Sequence, residues 1–140
     1  LSGLTPAHDW ASYPDALEAV VARLQGVIIE NKDAVDVIGQ HDSEETLFYV
    51  DPPYVKGTRD GGDDYRHEMS DDDHGRLADS LLSIQGMVVL SGYRSELYDT
   101  LFPTWLRLER VALADGARRR VECLWLNQRA AARLQQPPLF

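Results

Sequence analysis

Apolar residues recur along this chain at two spacings, and each spacing predicts its own kind of element. Leu17, Val20, Val21 and Leu24 fall at i, i+3, i+4 and i+7, one stripe of a helix. Ser12, with Pro14 in the first turn and Asp15 three residues on, reads as its N-terminal cap, and Gly26 as its stop. Val27-Ile28-Ile29 is a short β-branched run that predicts a buried strand, closed by Asn31 and Asp33. A short helix then places Ala34, Val37 and Ile38 on one face and stops at Gly39. Thr46–Val50 predicts a second strand, ended by Asp51-Pro52-Pro53 because proline has no N–H for a ladder. Ser70 and Asp73 repeat the capping-box spacing, and the helix behind them, Ser70–Ile84, carries Leu77, Leu81 and Leu82 inward before Gly86 breaks it. Met87–Ser91 predicts a third strand, and Ser95–Leu101 a helix closed by Pro103. Leu106–Ala112 and Arg120–Leu126 read as an antiparallel hairpin around Ala114-Asp115-Gly116-Ala117. From Gln128 the pattern predicts a frayed helix and a loose tail.

Three strand–helix units followed by a hairpin predict an α/β fold on a mainly parallel sheet. Ligands of such sheets sit outside the carboxyl ends of the strands. Asn31 and Asp33, Asp51–Tyr54, and Ser91–Tyr93 gather at those ends.

Composition narrows the classes. Of 140 residues, 44% are hydrophobic, which predicts a packed core and excludes global disorder. The net charge is −9, from 23 acids against 14 Lys and Arg, which disfavours strong duplex binding by this chain alone. The basic residues cluster at Arg118, Arg119 and Arg120, which read as a solvated turn that could touch phosphates, and Arg129 and Arg133 follow. The acids concentrate at Asp60–Asp64 and Asp71–Asp73. Cys123 is the single cysteine, so an internal disulfide and a Cys-only metal site are excluded, and its neighbours Leu124 and Trp125 predict a buried strand thiol. His8, His41, His67 and His74 have no metal-ligand spacing. No apolar run approaches the ~20 residues of a membrane helix, and Leu1-Ser2-Gly3-Leu4 is no signal peptide, so a cytoplasmic protein is expected.

Chemistry concentrates in Asp51-Pro52-Pro53-Tyr54. An aromatic exocyclic amine is a poor nucleophile because its lone pair is delocalised into the ring. A site that alkylates it must draw both N–H bonds toward acceptors. The Asp51 carboxylate is one acceptor, and the Pro52 carbonyl, held by two stiff prolines, is the other. Tyr54 offers a flat face for stacking. A base in a duplex must first be flipped out to reach such a site. The plainer alternative is a proline-rich strand exit with Tyr54 as a packing residue.

Leu47-Phe48-Tyr49-Val50-Asp51-Pro52-Pro53-Tyr54 resembles the motif of the D12-class, Dam-like, phage-type adenine-specific DNA methyltransferases. The resemblance extends to Arg23–Asn31, to Tyr65-Arg66-His67-Glu68-Met69 with His74, to Leu90-Ser91-Gly92-Tyr93 with Leu97-Tyr98, and to Glu122–Asn127, and so covers about residues 10–128. It implies a Rossmann-like methyltransferase fold with S-adenosylmethionine as donor. It gives Asp51, Pro52, Pro53 and Tyr54 catalytic roles around a flipped adenine. Asp33 would meet the cofactor's adenine amine, with Asp51 beside the methyl group; a helix cap is the competing role for Asp33. His67 and Met69 could flank the target base or simply anchor their loop, and Ser91 and Tyr93 could line the base pocket. His74 reads as a surface or capping residue. In these terms residues 1–11 are a lead-in, 12–128 a partial catalytic domain and 129–140 a tail.

The family's glycine-rich opening segment and the acidic residue that follows it are not found here, so the expectation is a catalytic half with its N-terminal strands missing. Weak or no activity alone follows, with a separate N-terminal half or self-association through the Val27–Ile29 edge as possible partners. Two alternatives stay open: cytosine-N4 methylation, which uses a similar motif, and a catalytically silent binding or structural remnant.

Overall fold

The computed structural model describes residues 17–59, 66–114 and 118–134. The Ser12 cap, the lead-in, His8, Asp60–Asp64, Tyr65, the hairpin turn at 115–117 and the tail beyond 134 lie outside the described residues. The chain divides into two compact units, Leu1–Asn31 and Lys32–Phe140.

In the first unit the predicted helix spans residues 17–24 (α1) and turns at Gly26, whose φ of 81° suits a residue without a side chain. Its apolar stripe stays largely exposed. Val27–Ile29 is not a strand: residues 27–30 form no ladder, and Ile28 and Ile29 are 82% and 90% exposed. β-Branched residues favour extended backbone, but a strand exists only where a neighbour pairs with it.

The second unit runs α2 (Ala34–His41), β1 (Leu47–Val50), a 3-10 turn (Lys56–Thr58), α3 (Asp71–Ser83), β2 (Met87–Tyr93), α4 (Glu96–Leu101), β3 (Leu106–Ala114), β4 (Arg118–Leu126) and α5 (Gln128–Leu134). The four strands form one sheet in the order β1-β2-β4-β3. β1 and β2 are parallel, from Leu47↔Met87 to Val50↔Leu90. β2 meets β4, and β4 meets β3, in antiparallel register. The sheet is therefore mixed, not mainly parallel. The predicted first strand contributes nothing to it, and β4 returns against β2 instead of joining a parallel series.

One face of the sheet carries the core. Phe48 and Val50, Val88 and Leu90, and Cys123 and Trp125 project to it by the two-residue period of each strand. Ile38 of α2, Leu77, Ala78 and Leu81 of α3, and Tyr98 of α4 with Phe102 behind it cover them. Tyr98 stands edge-on to both Phe102 and Trp125, at 5.7 and 5.1 Å between ring centres. The opposite face is barer. Leu47, Tyr49, Leu106 and Leu108 remain exposed there, while α5 lies against β2 and buries Leu126 and Ala130. On its outer side β1 pairs with no described strand.

Local hydrogen bonds explain where elements begin. Ser70 Oγ accepts from Asp73 N–H at 3.2 Å and Asp73 Oδ2 accepts from Ser70 N–H at 3.0 Å, the reciprocal cap predicted for α3. The Asp42 carboxylate accepts from the N–H groups of Gln85 and Gly86 at 2.9 Å, which fixes the entry to β2. Asn127 accepts from Val88 N–H and Ala130 N–H and donates to the Gly86 carbonyl, joining β2, the end of β4 and α5. Helix α2 continues through Gly39, where a stop was predicted, as far as His41.

Two assignments on α3 change. Leu82 is 52% exposed, because one step past Leu81 turns a side chain about 100° around the axis. His74, predicted at the surface, is 1% exposed. Positions 74, 77, 78 and 81 make the buried stripe, and His74 occupies its first place, its Nδ1 2.9 Å from the Tyr98 hydroxyl.

Candidate active site

β1 stops at Val50 because the two prolines that follow Asp51 cannot extend the ladder. The β1–β2 register ends at Val50↔Leu90, and the next residue on each strand is Asp51 and Ser91. These two side chains meet. Buried Ser91 donates from Oγ to Asp51 Oδ1 at 2.8 Å, and the same hydroxyl lies 3.2 Å from the Val50 carbonyl. Asp51 itself is exposed, and its Oδ2 has no partner among the described residues. The result is a carboxylate fixed at one oxygen and open at the other, beside the rigid Pro52-Pro53 backbone.

Three residues on, Tyr54 turns back toward β2 and β4. Its ring stands edge-on to Tyr93, with centres 4.6 Å apart and planes at 78°. Its hydroxyl donates to Glu122 Oε2 at 3.3 Å. Burial pushes the Tyr54 phenol well above its usual value, and the Glu122 and Asp51 carboxylates push it further. Glu122 reaches this position because the β2–β4 register sets it opposite Tyr93. Half-buried Arg120 places its guanidinium 5.6 Å from the Tyr93 ring centre and donates to the Thr58 carbonyl at 3.4 Å. Arg120 is thus part of the site, not of a solvated turn. Nearby, Arg59 and Glu68 form a two-pronged ion pair with both side chains largely buried.

Asp51, Tyr54, Ser91 and Tyr93 therefore come together at the carboxyl ends of β1 and β2, with Pro52 and Pro53 half-buried beside them. Other expected site residues make different contacts. Met69 packs against the hydrophobic core, and His67 is exposed. Asp33 caps α2: one oxygen accepts from Val35 N–H at 2.9 Å and the other pairs with Arg76 at 3.3 Å. Glu122 was not singled out as a site residue from sequence, and Arg120 was read only as part of a basic turn. The signal was present in β4, where Arg120 and Glu122 alternate in step with Leu124 and Leu126, two charges continuing an apolar face.

S-adenosylmethionine, implied by the resemblance, needs a cradle of backbone that only glycines let close. Gly92, at the site's own strand end, does not provide it. A side chain added there would stand 3.3 Å from the Tyr98 ring and 3.6 Å from Trp125, so protein rings fill that space. Among the described residues, Gly92 therefore opens no backbone cradle for the donor. Asp33 accepts one bond at each carboxylate oxygen and keeps acceptor capacity for a further donor group. No three His, Cys, Asp or Glu side chains gather as metal ligands among the described residues, and no described helix is long and apolar enough to cross a membrane.

Comparison with curated proteins finds no match. The family model of D12 class N6 adenine-specific DNA methyltransferases matches residues 7–112. That stretch holds the whole of β1 and β2 and the Asp51–Tyr54 turn between them, and the chain belongs to this family.

Proposed function

We propose that this chain carries the base-accepting site for methyl transfer to the exocyclic N6 amine of adenine in DNA, on part of a Rossmann-like sheet. The observation that carries the reading is the Asp51 carboxylate, held by Ser91 at Oδ1 and open at Oδ2. Oδ2 accepts one amine N–H and the Pro52 carbonyl the other. With both hydrogens engaged, the nitrogen lone pair leaves conjugation with the ring and becomes available for attack. Tyr54 supports the flipped base from its own position against Tyr93 and Glu122. S-adenosylmethionine is the donor that the family implies; when bound it would supply an electrophilic methyl group, the S–CH3 bond breaking with its electron pair left on sulfur as the N–CH3 bond forms, and Asp33 is the residue of this chain proposed to meet its adenine. Once methylated, the nitrogen carries a positive charge and an acidic hydrogen. That N–H bond breaks, its electron pair stays on nitrogen, and the proton passes to Asp51 or to water.

The test is transfer of labelled methyl to duplex DNA by the full-length protein, with the product base identified. N6-methyladenine is expected, and Asp51→Ala abolishes it while S-adenosylmethionine affinity, followed by calorimetry, stays within a few-fold. Methylation retained in Asp51→Ala would sink the assignment of Asp51. N4-methylcytosine as product would move the substrate to cytosine. Neither cofactor binding nor transfer by the wild-type protein would leave a silent remnant of the enzyme.

A further inference from the structure

Asp51 is exposed, and an exposed aspartate ordinarily samples several rotamers. A carboxylate that must meet an amine at hydrogen-bond distance cannot do so efficiently while it swings, since small misplacements are costly in rate. The structure supplies a restraint that belongs to another strand. Ser91 is 4% exposed, sits in β2, and aims its hydroxyl at Asp51 Oδ1 at 2.8 Å. The hydroxyl has one proton and two acceptors in reach. The Asp51 oxygen is closer than the Val50 carbonyl at 3.2 Å and is charged, so it takes the proton. The backbone beneath Ser91 is fixed, because Leu90 and Gly92 on either side are buried and the β2–β4 ladder pairs Ser91 with Leu124.

The geometry assigns Ser91 as a positioning residue: it holds Asp51 by Oδ1 and so presents Oδ2 to the substrate amine. Sequence reading placed Ser91 in the base pocket as a direct contact. Here it acts through Asp51 and touches no substrate. This assignment rests on the reading of Asp51 as amine acceptor, and the two fail separately.

Ser91→Ala removes the donor and little volume, and Ser91→Thr keeps the hydroxyl. In the full-length protein Ser91→Ala is expected to lower kcat for adenine methylation about tenfold, with KM for DNA and for S-adenosylmethionine within about twofold, and Ser91→Thr to recover most of that loss. Should the extra methyl of Thr prevent folding, Ser91→Cys, with a weak S–H donor of similar size, replaces it. The second readout needs no activity. Hα–Hβ couplings of Asp51, measured by NMR on this chain, report one χ1 rotamer in the wild type and in the hydroxyl-bearing variant, and averaging in Ser91→Ala. A single unchanged rotamer in Ser91→Ala, or equal loss of kcat in Ser91→Ala and Ser91→Thr with both folded, would overturn the assignment. If Asp51→Ala also keeps full activity, the proposed function itself has failed; if Asp51→Ala is inactive and Ser91→Ala is not, only the positioning role has.

Discussion

Tyr54 shows how much a single residue owes to its neighbours. Its hydroxyl is turned to Glu122 and its ring to Tyr93, so one side chain is held from two strands. Tyr54→Phe keeps the ring and loses the hydrogen bond. We expect a rise of a few-fold in KM for DNA with kcat nearly unchanged, and a much larger loss in Tyr54→Ala; equal effects of the two would remove the ring from the mechanism. His74 makes a different prediction. Burial holds its imidazole below the ordinary value, outweighing the pull of Asp71 and Asp73, and its Nε2 is buried without a hydrogen-bond partner among the described residues. The folded protein thus refuses a proton that the unfolded chain accepts below pH ~6.5. The stability tied to this group is complete above that pH and declines as pH falls toward the lower folded value. Urea midpoints should drop between pH 7 and pH 5, and His74→Gln should flatten that drop. Asp73, whose carboxylate is lowered by its bonds to Ser70, acts only further down, below pH ~3.8, so the two windows separate. His74 was misread from sequence for a specific reason. Histidine next to three acids looks solvated, and only the i, i+3, i+4, i+7 count from 74 to 81 shows it heading the apolar stripe.

At the scale of elements, α3 allows a direct comparison. Leu81 is 1% exposed and Leu82 52%, though they are adjacent and chemically identical. Leu81→Ala should cost about 2–5 kcal/mol and Leu82→Ala less than about 0.5 kcal/mol, read from urea or thermal melts. Similar costs would mean that the helix is rotated. Ser70→Ala removes the cap at the same helix's start and should cost about 1 kcal/mol. Asp73→Ala added to it should cost little more, because the two caps are one reciprocal pair; simple additivity would show them to be independent. Elements like these were readable because their signals are local. The capping box, the proline stop after Val50 and the Gly-containing hairpin turn act within a few residues, and α3, β1, β3 and β4 lie within a few residues of their predicted places. Glu122 escaped notice because its importance arises from register with Tyr93 across the sheet, which no local spacing encodes.

For the whole molecule, the largest departure from the sequence pattern is the sheet. A run such as Val27-Ile28-Ile29 carries every local mark of a strand, yet pairing is a property of two segments, and no described strand pairs with this one. The same physics makes the mixed sheet unpredictable from periodicity alone, since alternation looks alike in parallel and antiparallel pairs. Charge at this scale is largely internal. Arg107 pairs with Asp99 and Glu109, Arg129 with Glu44, and Arg76 with Asp33, so much of the described basic complement already faces acids. The expected consequence is weak, strongly salt-sensitive binding of nonspecific duplex by this chain alone, measured by fluorescence anisotropy across salt concentrations. Tight binding at 200 mM salt would contradict it.

The strand order also carries a sequence of events in time. Three residues join β3 to β4, residues 94–117 join β2 to β4, and residues 51–86, which carry α3, join β1 to β2, so the pairing of Leu47 with Met87 closes the longest of the three loops. Asp51 hangs on the last strand to arrive. A refolding molecule should therefore acquire its hairpin and near-native fluorescence before it acquires chemistry. Pulse-labelling hydrogen exchange would show amides of β3 and β4 protected ahead of those of Phe48–Val50, and simultaneous protection would reject this order. The acidic group at the centre of the site is then a late-assembled part, and a chain stalled midway through folding would be compact, largely structured and unable to hold a base.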